Sequence, residues 1–312
     1  MKNALVPSRT GSWYEATARE RISGLLDAGT FHEFLGPTAR AVSPHLALFD
    51  LPEAFDDGII VGRGKLQGRA VLVAAQEGRF MGGTFGEVHG AKLVGLLRYA
   101  RDHHAEATSP RAVLLLLDTG GVRLQEANVG ELAVSEIIRA LVEARAAGVA
   151  VIALVGGRAG AFGGGGILAA CCSRVVISEQ GRTSVSGPEV IETNMGAEEF
   201  DSLDRPLVWR TTGGKTRRLL GGAGAYAADR IESFRAAALA LLDGGIPAFD
   251  LATLAREQAR LAERLEKFGA CQDAPEIWQR MRLADAARIA DLADEDFNQI
   301  AQAQPEANHD AR

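Results

Sequence analysis

The sequence predicts an α/β fold whose core is a parallel β-sheet covered by helices on both faces. Three stretches carry that expectation: 112–118 (AVLLLLD), 149–157 (VAVIALVGG) and 174–179 (RVVISE). Each is a continuous apolar run of strand length rather than an alternating one, as expected of a strand buried on both faces, and helical patterns separate the three. Glycine adds a second signal. The chain has 36 glycines in 312 residues, well above the roughly 7% of average composition. They gather at 82–90, 120–130, 156–166 and 213–224, two of these clusters directly following a predicted strand.

The remaining elements follow in chain order. Residues 14–27 (YEATARERISGLLD) set Tyr14, Ala18, Ile22 and Leu25 on one helical face, with Gly29 as the stop. The stretch 31–49 contains Pro37 and Pro44 and reads as irregular. Residues 58–76 form a predicted hairpin, GIIVGRGKL and RAVLVAAQ joined by a Gln67-Gly68 turn. A glycine-rich turn at 81–86 (MGGTFG) leads into an amphipathic helix ending near His103. A long helical pattern fills 124–148, and a short helix is expected after the glycine run at 163–166. Two more helices are expected over 229–243 and 251–268, followed by an Ala-, Asp- and Gln-rich tail frayed from about Gln302.

Composition narrows the function classes. The net charge is −6 and the only basic cluster is GGKTRR at 213–218, which argues against nucleic acid, because phosphate backbones are bound by clustered Lys and Arg. The first residues lack a signal-peptide core, and no run of ~18 apolar residues exists to span a bilayer. The three cysteines, Cys171, Cys172 and Cys271, include no C-x-x-C pair. Neither a disulfide framework nor a cysteine-rich zinc site is expected, no other metal site is indicated, and a cytoplasmic location follows. Cys171 and Cys172 read as core residues, and His103-His104 as cations at a helix end.

The segment GAFGGGGILAACC (160–172) poses the chemical question. A phosphate-binding loop requires glycine five residues before Gly214-Lys215-Thr216, where Trp209 stands. Gly164, Gly166 and Ala169 fit a dinucleotide fingerprint, but the next strand ends at Glu179, too soon for the ~30-residue unit that fold needs. A third use remains: a strand entering a helix through glycines exposes unpaired N–H groups at the positive end of the helix dipole. Without Cβ atoms a ligand oxygen can approach them closely, which is the arrangement of an oxyanion hole. DTGGVRLQE (118–126) is a second strand–Gly-Gly–helix junction, able to supply the second donor.

Strand-TGG-helix, then strand-AFGGGG-helix, then SVSGPEVIE resembles the crotonase-superfamily carboxyltransferases over roughly residues 14–245. The wording DTGGVRLQEAN, AQEGRFMGGTFGEVHGAK and SVSGPEVIETN is most similar to malonate decarboxylase β subunits. Departures from neighbouring families are equally informative. No cysteine precedes residue 171, so the zinc ribbon of acetyl-CoA carboxylase β subunits is absent, and so is the A-M-K-M biotin-attachment segment. Where enoyl-CoA hydratases carry a catalytic Glu, Ile167 stands, and it cannot move a proton.

The resemblance implies a crotonase-like fold of repeated ββα units, with a spiral of parallel sheets and flanking helices. It implies a carboxyltransferase domain over 1–245 and a helical extension over 246–312. It also implies a lyase that removes CO2 from malonyl on an acyl carrier protein, with Gly121 or Val122 as one oxyanion donor and Gly163 or Gly164 as the other. Gly120 and Gly165 would give clearance. Arg123 and Arg158 would either meet a carboxylate or phosphate, or be solvated or paired with Glu126. Glu189 would either contact substrate or serve as a helix-start acid, and the run Met81 to Glu87 would either line the carrier's entrance or pack as a turn. No cofactor is bound covalently; the substrate would ride on the carrier's phosphopantetheine arm. The implied partners are a γ carboxyltransferase-like subunit, the acyl carrier protein and an acyl-carrier transferase, with no nucleic acid or membrane. The alternatives are a subunit acting on another acyl-CoA and a non-catalytic scaffold.

Overall fold

The computed structural model describes residues 11–40, 42–48, 50, 58–106 and 109–304. Helix α1 (Ala18–Leu25) starts on a reciprocal cap: the Thr17 side chain accepts from the Glu20 N–H, and the Glu20 carboxylate accepts from the Thr17 N–H. The segment expected to be irregular holds the two-residue strand β1 (His32–Glu33) and the short helix α2 (Pro44–Leu48). The hairpin is present as β2 (Ile59–Leu66) and β3 (Arg69–Gln76), and Gln67 and Gly68 both turn through positive φ. Helix α3 (Glu87–His103) follows, and then the alternation begins: β4 (Ala112–Leu117), α4 (Val129–Ala146) and β5 (Ala150–Val155).

Two ββα units come next. The first is β6 (Ala161–Phe162) and α5 (Gly164–Cys171), which follow β5. The second is β7 (Arg174–Ile177), β8 (Thr183–Ser184) and α6 (Pro188–Met195). Then come α7 (Arg205–Thr212), α8 (Gly214–Leu219), β9 (Ala225–Tyr226), α9 (Ile231–Asp243), α10 (Leu251–Phe268), α11 (Ala274–Arg280) and α12 (Asp294–Ala303). The main sheet has the order β1-β2-β3-β4-β5-β7-β9, antiparallel across the first two pairs and parallel from β3 onward. Strands β6 and β8 form a separate parallel pair.

Every residue of β4 and β5 is buried, which explains their unbroken apolar sequences. Alternate side chains enter two cores. Val113, Leu115, Val151 and Ala153 pack under α3, α4 and α5, while Leu114, Leu116, Ile152 and Leu154 pack against α1 and α9. The C-terminal segment joins the first core through Trp278 of α11 and Phe297 of α12. By contrast α10 buries no residue, and Leu251 and Leu265 stand largely exposed on it.

Helix α12 runs through Ala303, and most of the tail expected to fray, residues 305–312, lies outside the described ones. The Gly-Lys-Thr segment is the first turn of α8, and the Lys215 ammonium donates to the Ala290 and Leu292 carbonyls at 2.7 Å, pinning the C-terminal segment.

That junction also holds a carboxyl group out of its usual range. Burial pushes Glu179 up to about 7, against a smaller opposing effect of the Lys215 N–H that it accepts. Between the ordinary carboxylate range and about pH 7, the folded chain keeps a proton that the unfolded chain has released, so stability falls as pH rises through that window. Replacing Glu179 by Gln should therefore flatten the decline. In denaturant melts at pH 5 and pH 8, wild type should lose up to about 3 kcal/mol more than Glu179→Gln.

Candidate functional site

The two glycine-rich junctions meet at the carboxyl edge of the sheet, because β4 and β5 are in-register neighbours and both chains turn out at that edge. Beyond β4, residues 118–123 run between two other segments. On one side the Thr119 N–H donates to the Gly160 carbonyl at 2.8 Å, and the Phe162 N–H donates to the Thr119 carbonyl at 3.0 Å. On the other side the Gly120 N–H donates to Gly82, the Phe85 N–H to Gly121, and the Arg123 N–H to Phe85. The run Met81 to Glu87 is therefore a structural flank of this turn.

A buried ion pair lies beneath. The Asp118 carboxylate accepts from the Arg21 guanidinium at 2.8 Å and from the Ala159 N–H at 2.7 Å, both side chains being almost fully buried. It joins the ends of β4 and β5 to helix α1. A second buried pair, Arg123–Glu126 at 3.1 Å, ties the turn to α3: Glu126 accepts from the Glu87 N–H, and Arg123 donates to the Thr84 carbonyl. Arg123 is thus a framework residue at 1% exposure, paired with Glu126 as the second of its two expected readings had it rather than open to substrate.

Thr119 organises the turns themselves. Its hydroxyl oxygen accepts from the Gly121 N–H at 3.1 Å, so the Gly121 amide is engaged within the chain. Of the two amides expected as the first donor, Val122's is the one with no acceptor among the described residues. A methyl group on Gly121 would lie 3.3 Å from the Phe162 carbonyl oxygen and 3.6 Å from Gly163 Cα, so the two turns stand no more than a methyl group apart.

On the second turn, Gly163 holds φ 56° and ψ −127°, a conformation that L side chains avoid. It caps α5, whose first intrahelical bond runs from the Ile167 N–H to the Gly163 carbonyl. The N–H groups of Gly163 and Gly164 have no acceptor among the described residues, and both glycines are half-buried. Gly165 is placed differently from expectation. A methyl there would sit 2.3 Å from Thr119 Cγ2, so its bareness serves the fit between the turns rather than clearance for a ligand. Gly120 is exposed, and its nearest neighbours stand 3.8 Å from where a methyl would be.

The outlying candidates are not drawn into the cradle by any contact. Arg158 is exposed, ion-paired to Glu15 and set 5.3 Å over the Tyr14 ring. Glu189 is exposed in the first turn of α6. Cys172 is buried, and burial raises its thiol well above the usual range. The His103 and His104 rings contact the Tyr99 and Arg101 carbonyls at the end of α3. Among the described residues no trio of His, Cys, Asp or Glu is placed to hold a metal, and no helix is long and apolar enough to cross a membrane.

The residues that sequence reasoning passed over, Asp118 and Thr119, immediately precede the two glycines of the first turn. The available signal was their position in DTGG, a carboxylate and a hydroxyl where the strand leaves the sheet. What the arrangement offers chemically is a group of unengaged backbone donors at a helix start, suited to an oxygen that gains negative charge.

This architecture, with its repeated ββα units and glycine turns, is the crotonase-like fold. Residues 14–206 match the carboxyl transferase domain family, and the chain belongs to that family. It is 45% identical over 240 residues to the malonyl-S-ACP:biotin-protein carboxyltransferase MADC of Malonomonas rubra, covering 74% of this chain and 75% of that one. Among solved structures it is similar to a chain of the Pseudomonas malonate decarboxylase hetero-tetramer in complex with malonate. That match has a TM-score of 0.78 and 40% identity, covering 86% of this chain and 96% of that one. A chain of the Pseudomonas malonate decarboxylase MdcD-MdcE hetero-dimer matches with a TM-score of 0.65 and 38% identity, over 81% and 96% of the two chains.

The role of Thr119 is testable by separating its two groups. Thr119→Val keeps the methyl contact with Gly165 but leaves the Gly121 N–H unpaired, at a cost of ~1–3 kcal/mol. In the assembled enzyme its kcat should fall about ten- to hundredfold, one misdirected donor being worth up to ~3 kcal/mol. Thr119→Ser should retain most of kcat. Equal loss in both variants would assign the hydroxyl no special part.

Proposed function

We propose that this chain is the β-type subunit of a malonyl-thioester decarboxylase, and that its two glycine turns form the oxyanion hole for the thioester oxygen. The observation that supports the reading is the close approach of Gly121 to Gly163, beside the amides of Val122, Gly163 and Gly164 that find no acceptor among the described residues. The relatives named above act on malonyl-ACP or belong to malonate decarboxylases, and the match extends along most of this chain.

The chemistry follows from charge. The bond between the malonyl carboxylate carbon and its methylene breaks, CO2 leaves, and the electron pair forms an enolate with its charge on the thioester oxygen. Backbone donors stabilise that oxygen more than the neutral carbonyl before it, so the interaction lowers the barrier rather than merely binding substrate. The enolate carbon then takes one proton, giving the acetyl thioester. Bond cleavage itself needs no base, in keeping with the exposed, inert Ile167 beside the cradle.

The surroundings support a partner subunit over the site. Leu124, just after the first turn, is 77% exposed, and Leu132, on the first turn of α4, is 63% exposed. Ile167 on α5 adds a third apolar side chain facing solvent beside the turns. Apolar side chains grouped at one edge point to a surface that a protein covers. In this reading a γ carboxyltransferase-like subunit completes the site, an acyl carrier protein presents the substrate on its phosphopantetheine arm, and an acyl-carrier transferase loads it. The carrier's arm is the only cofactor, and the cytoplasm is the compartment. The domain is placed at 1–245 with the helical extension at 246–312.

The similarity to a biotin-protein carboxyltransferase favours a second reading, in which the same enolate step hands the carboxyl group to a biotin-bearing partner. Avidin separates the two: it leaves a decarboxylase unaffected and stops a transferase. For the reading itself, Gly163→Ala forces a side chain into φ 56° and should tilt the second donor. The reconstituted complex should then lose about a hundredfold in kcat on malonyl thioester while still co-purifying with its partner. Undiminished turnover by that variant would remove the oxyanion assignment, and faster turnover of methylmalonyl than malonyl thioester would change the substrate.

A further inference from the structure

Near the second turn, two guanidinium groups share one aromatic ring and form no ion pair among the described residues. Arg182, the residue before β8, has its guanidinium carbon 4.7 Å from the centre of the Trp209 ring and 5.8 Å from that of Phe162. Arg205, the first residue of α7, lies 5.2 Å from the same Trp209 ring. One indole therefore carries two cations. The Arg182 Nη2 donates to the Arg158 carbonyl, while its Nε is buried without a partner. Among the described residues neither arginine has a carboxylate within ion-pair distance. Their neighbours are paired, Arg158 with Glu15 and Arg210 with Asp273.

Burial lowers the Arg182 guanidinium below its ordinary range, against smaller opposing influences from Tyr14, Asp118 and Glu189, with nearby Arg205 adding least. Arg182 is half-buried and Arg205 exposed, so an anion can reach both guanidinium groups from solvent. Two guanidinium forks held by stacking on a common ring suit a tetrahedral oxyanion, because their donors are fixed in direction.

Position decides which anion. The Arg182 carbonyl accepts from the Ala161 N–H at 2.9 Å, and Thr183 pairs with Ala161. The Arg182 backbone therefore stands level with Gly160, three residues before Gly163 and at most about 10 Å from it along the chain. The malonyl carboxylate is a single methylene from the thioester carbonyl and stays beside it. The phosphate of a pantetheine arm is carried away from the carbonyl on a flexible chain, so a cation pair set apart from the turns suits it better.

We infer that Arg182 and Arg205, framed by Trp209 and Phe162, form the subsite for the phosphate of the substrate's phosphopantetheine arm. The inference rests on the thioester reading above and adds to it the group that anchors the far end of the substrate. The same phosphate occurs in coenzyme A and on an acyl carrier protein, and the geometry recognises what the two share.

The test is a binding measurement on the assembled complex, independent of turnover, with pantetheine, 4′-phosphopantetheine and coenzyme A as the probes. Wild type should bind 4′-phosphopantetheine at least tenfold more tightly than pantetheine. Arg182→Gln and Arg205→Gln should each shrink that ratio toward one. Arg205 is exposed, so its variant stands as the test if Arg182→Gln fails to fold. A parallel loss of coenzyme A affinity in the variants identifies the free coenzyme as a source, and a loss confined to 4′-phosphopantetheine identifies the carrier's arm. An unchanged ratio in both variants, or equal affinity of wild type for the first two probes, overturns the assignment. So does loss of free malonate binding in variants whose phosphate preference is intact. A complex that binds the phosphate as described but decarboxylates no malonyl thioester leaves this subsite standing and removes the decarboxylase reading instead.

Discussion

The hydroxyl and methyl of Thr119 are the joint on which the candidate site depends. Through one side chain the first turn loses the Gly121 amide to an internal bond, and through the same side chain the second turn is held against the first at Gly165. Two backbone hydrogen bonds, from Thr119 to Gly160 and from Phe162 to Thr119, fix the register between them. If either contact shifted, the two turns would no longer approach one another at Gly121 and Gly163. The Asp118–Arg21 pair beneath restrains the joint from below, and a charge pair that is nearly fully buried is costly to break by removing one partner, at ~3–5 kcal/mol.

Consecutive glycines at a helix start are costly for stability, roughly 1 kcal/mol each relative to alanine in a helix interior. Here they have distinct reasons. Gly163 is required by its backbone angles and Gly165 by the Thr119 methyl, while Gly164 abuts Val134 of α4 and Gly166 the Ser184 carbonyl. Most of the run therefore serves packing, and the donors are a consequence of how closely the segments approach. Function and fit are not alternatives at this site, because the same absence of side chains allows the turns to touch and leaves their N–H groups uncovered.

The sheet was legible in the sequence because buried parallel strands are written as unbroken apolar runs, and β4, β5 and β7 fall within the stretches that carried the expectation. The two-residue strands β6, β8 and β9 were not legible: their pairing is set by register with distant segments, such as Ala161 with Thr183, and leaves no local period. The glycine turns stood out from composition alone. Which amide each would offer did not, since that depends on a hydroxyl that competes for one of them. Arg123 invited a binding role by its place beside the turn, yet its burial against Glu126 comes from the fold of 81–87 over it. Arg182 and Arg205 lie 23 positions apart and meet only through Trp209, so no spacing rule would have joined them.

The central claim is that the backbone donors of Val122 and of Gly163 or Gly164 polarise a thioester carbonyl. The most direct measurement is the infrared stretch of a carbon-13-labelled acetyl thioester bound to the assembled complex. Two aligned donors in a water-poor site should draw the carbonyl band to lower frequency than the same thioester shows in water, and Thr119→Val should return much of that displacement. A bound thioester whose band matches its value in water, with the complex intact and the ligand demonstrably seated, would contradict the account.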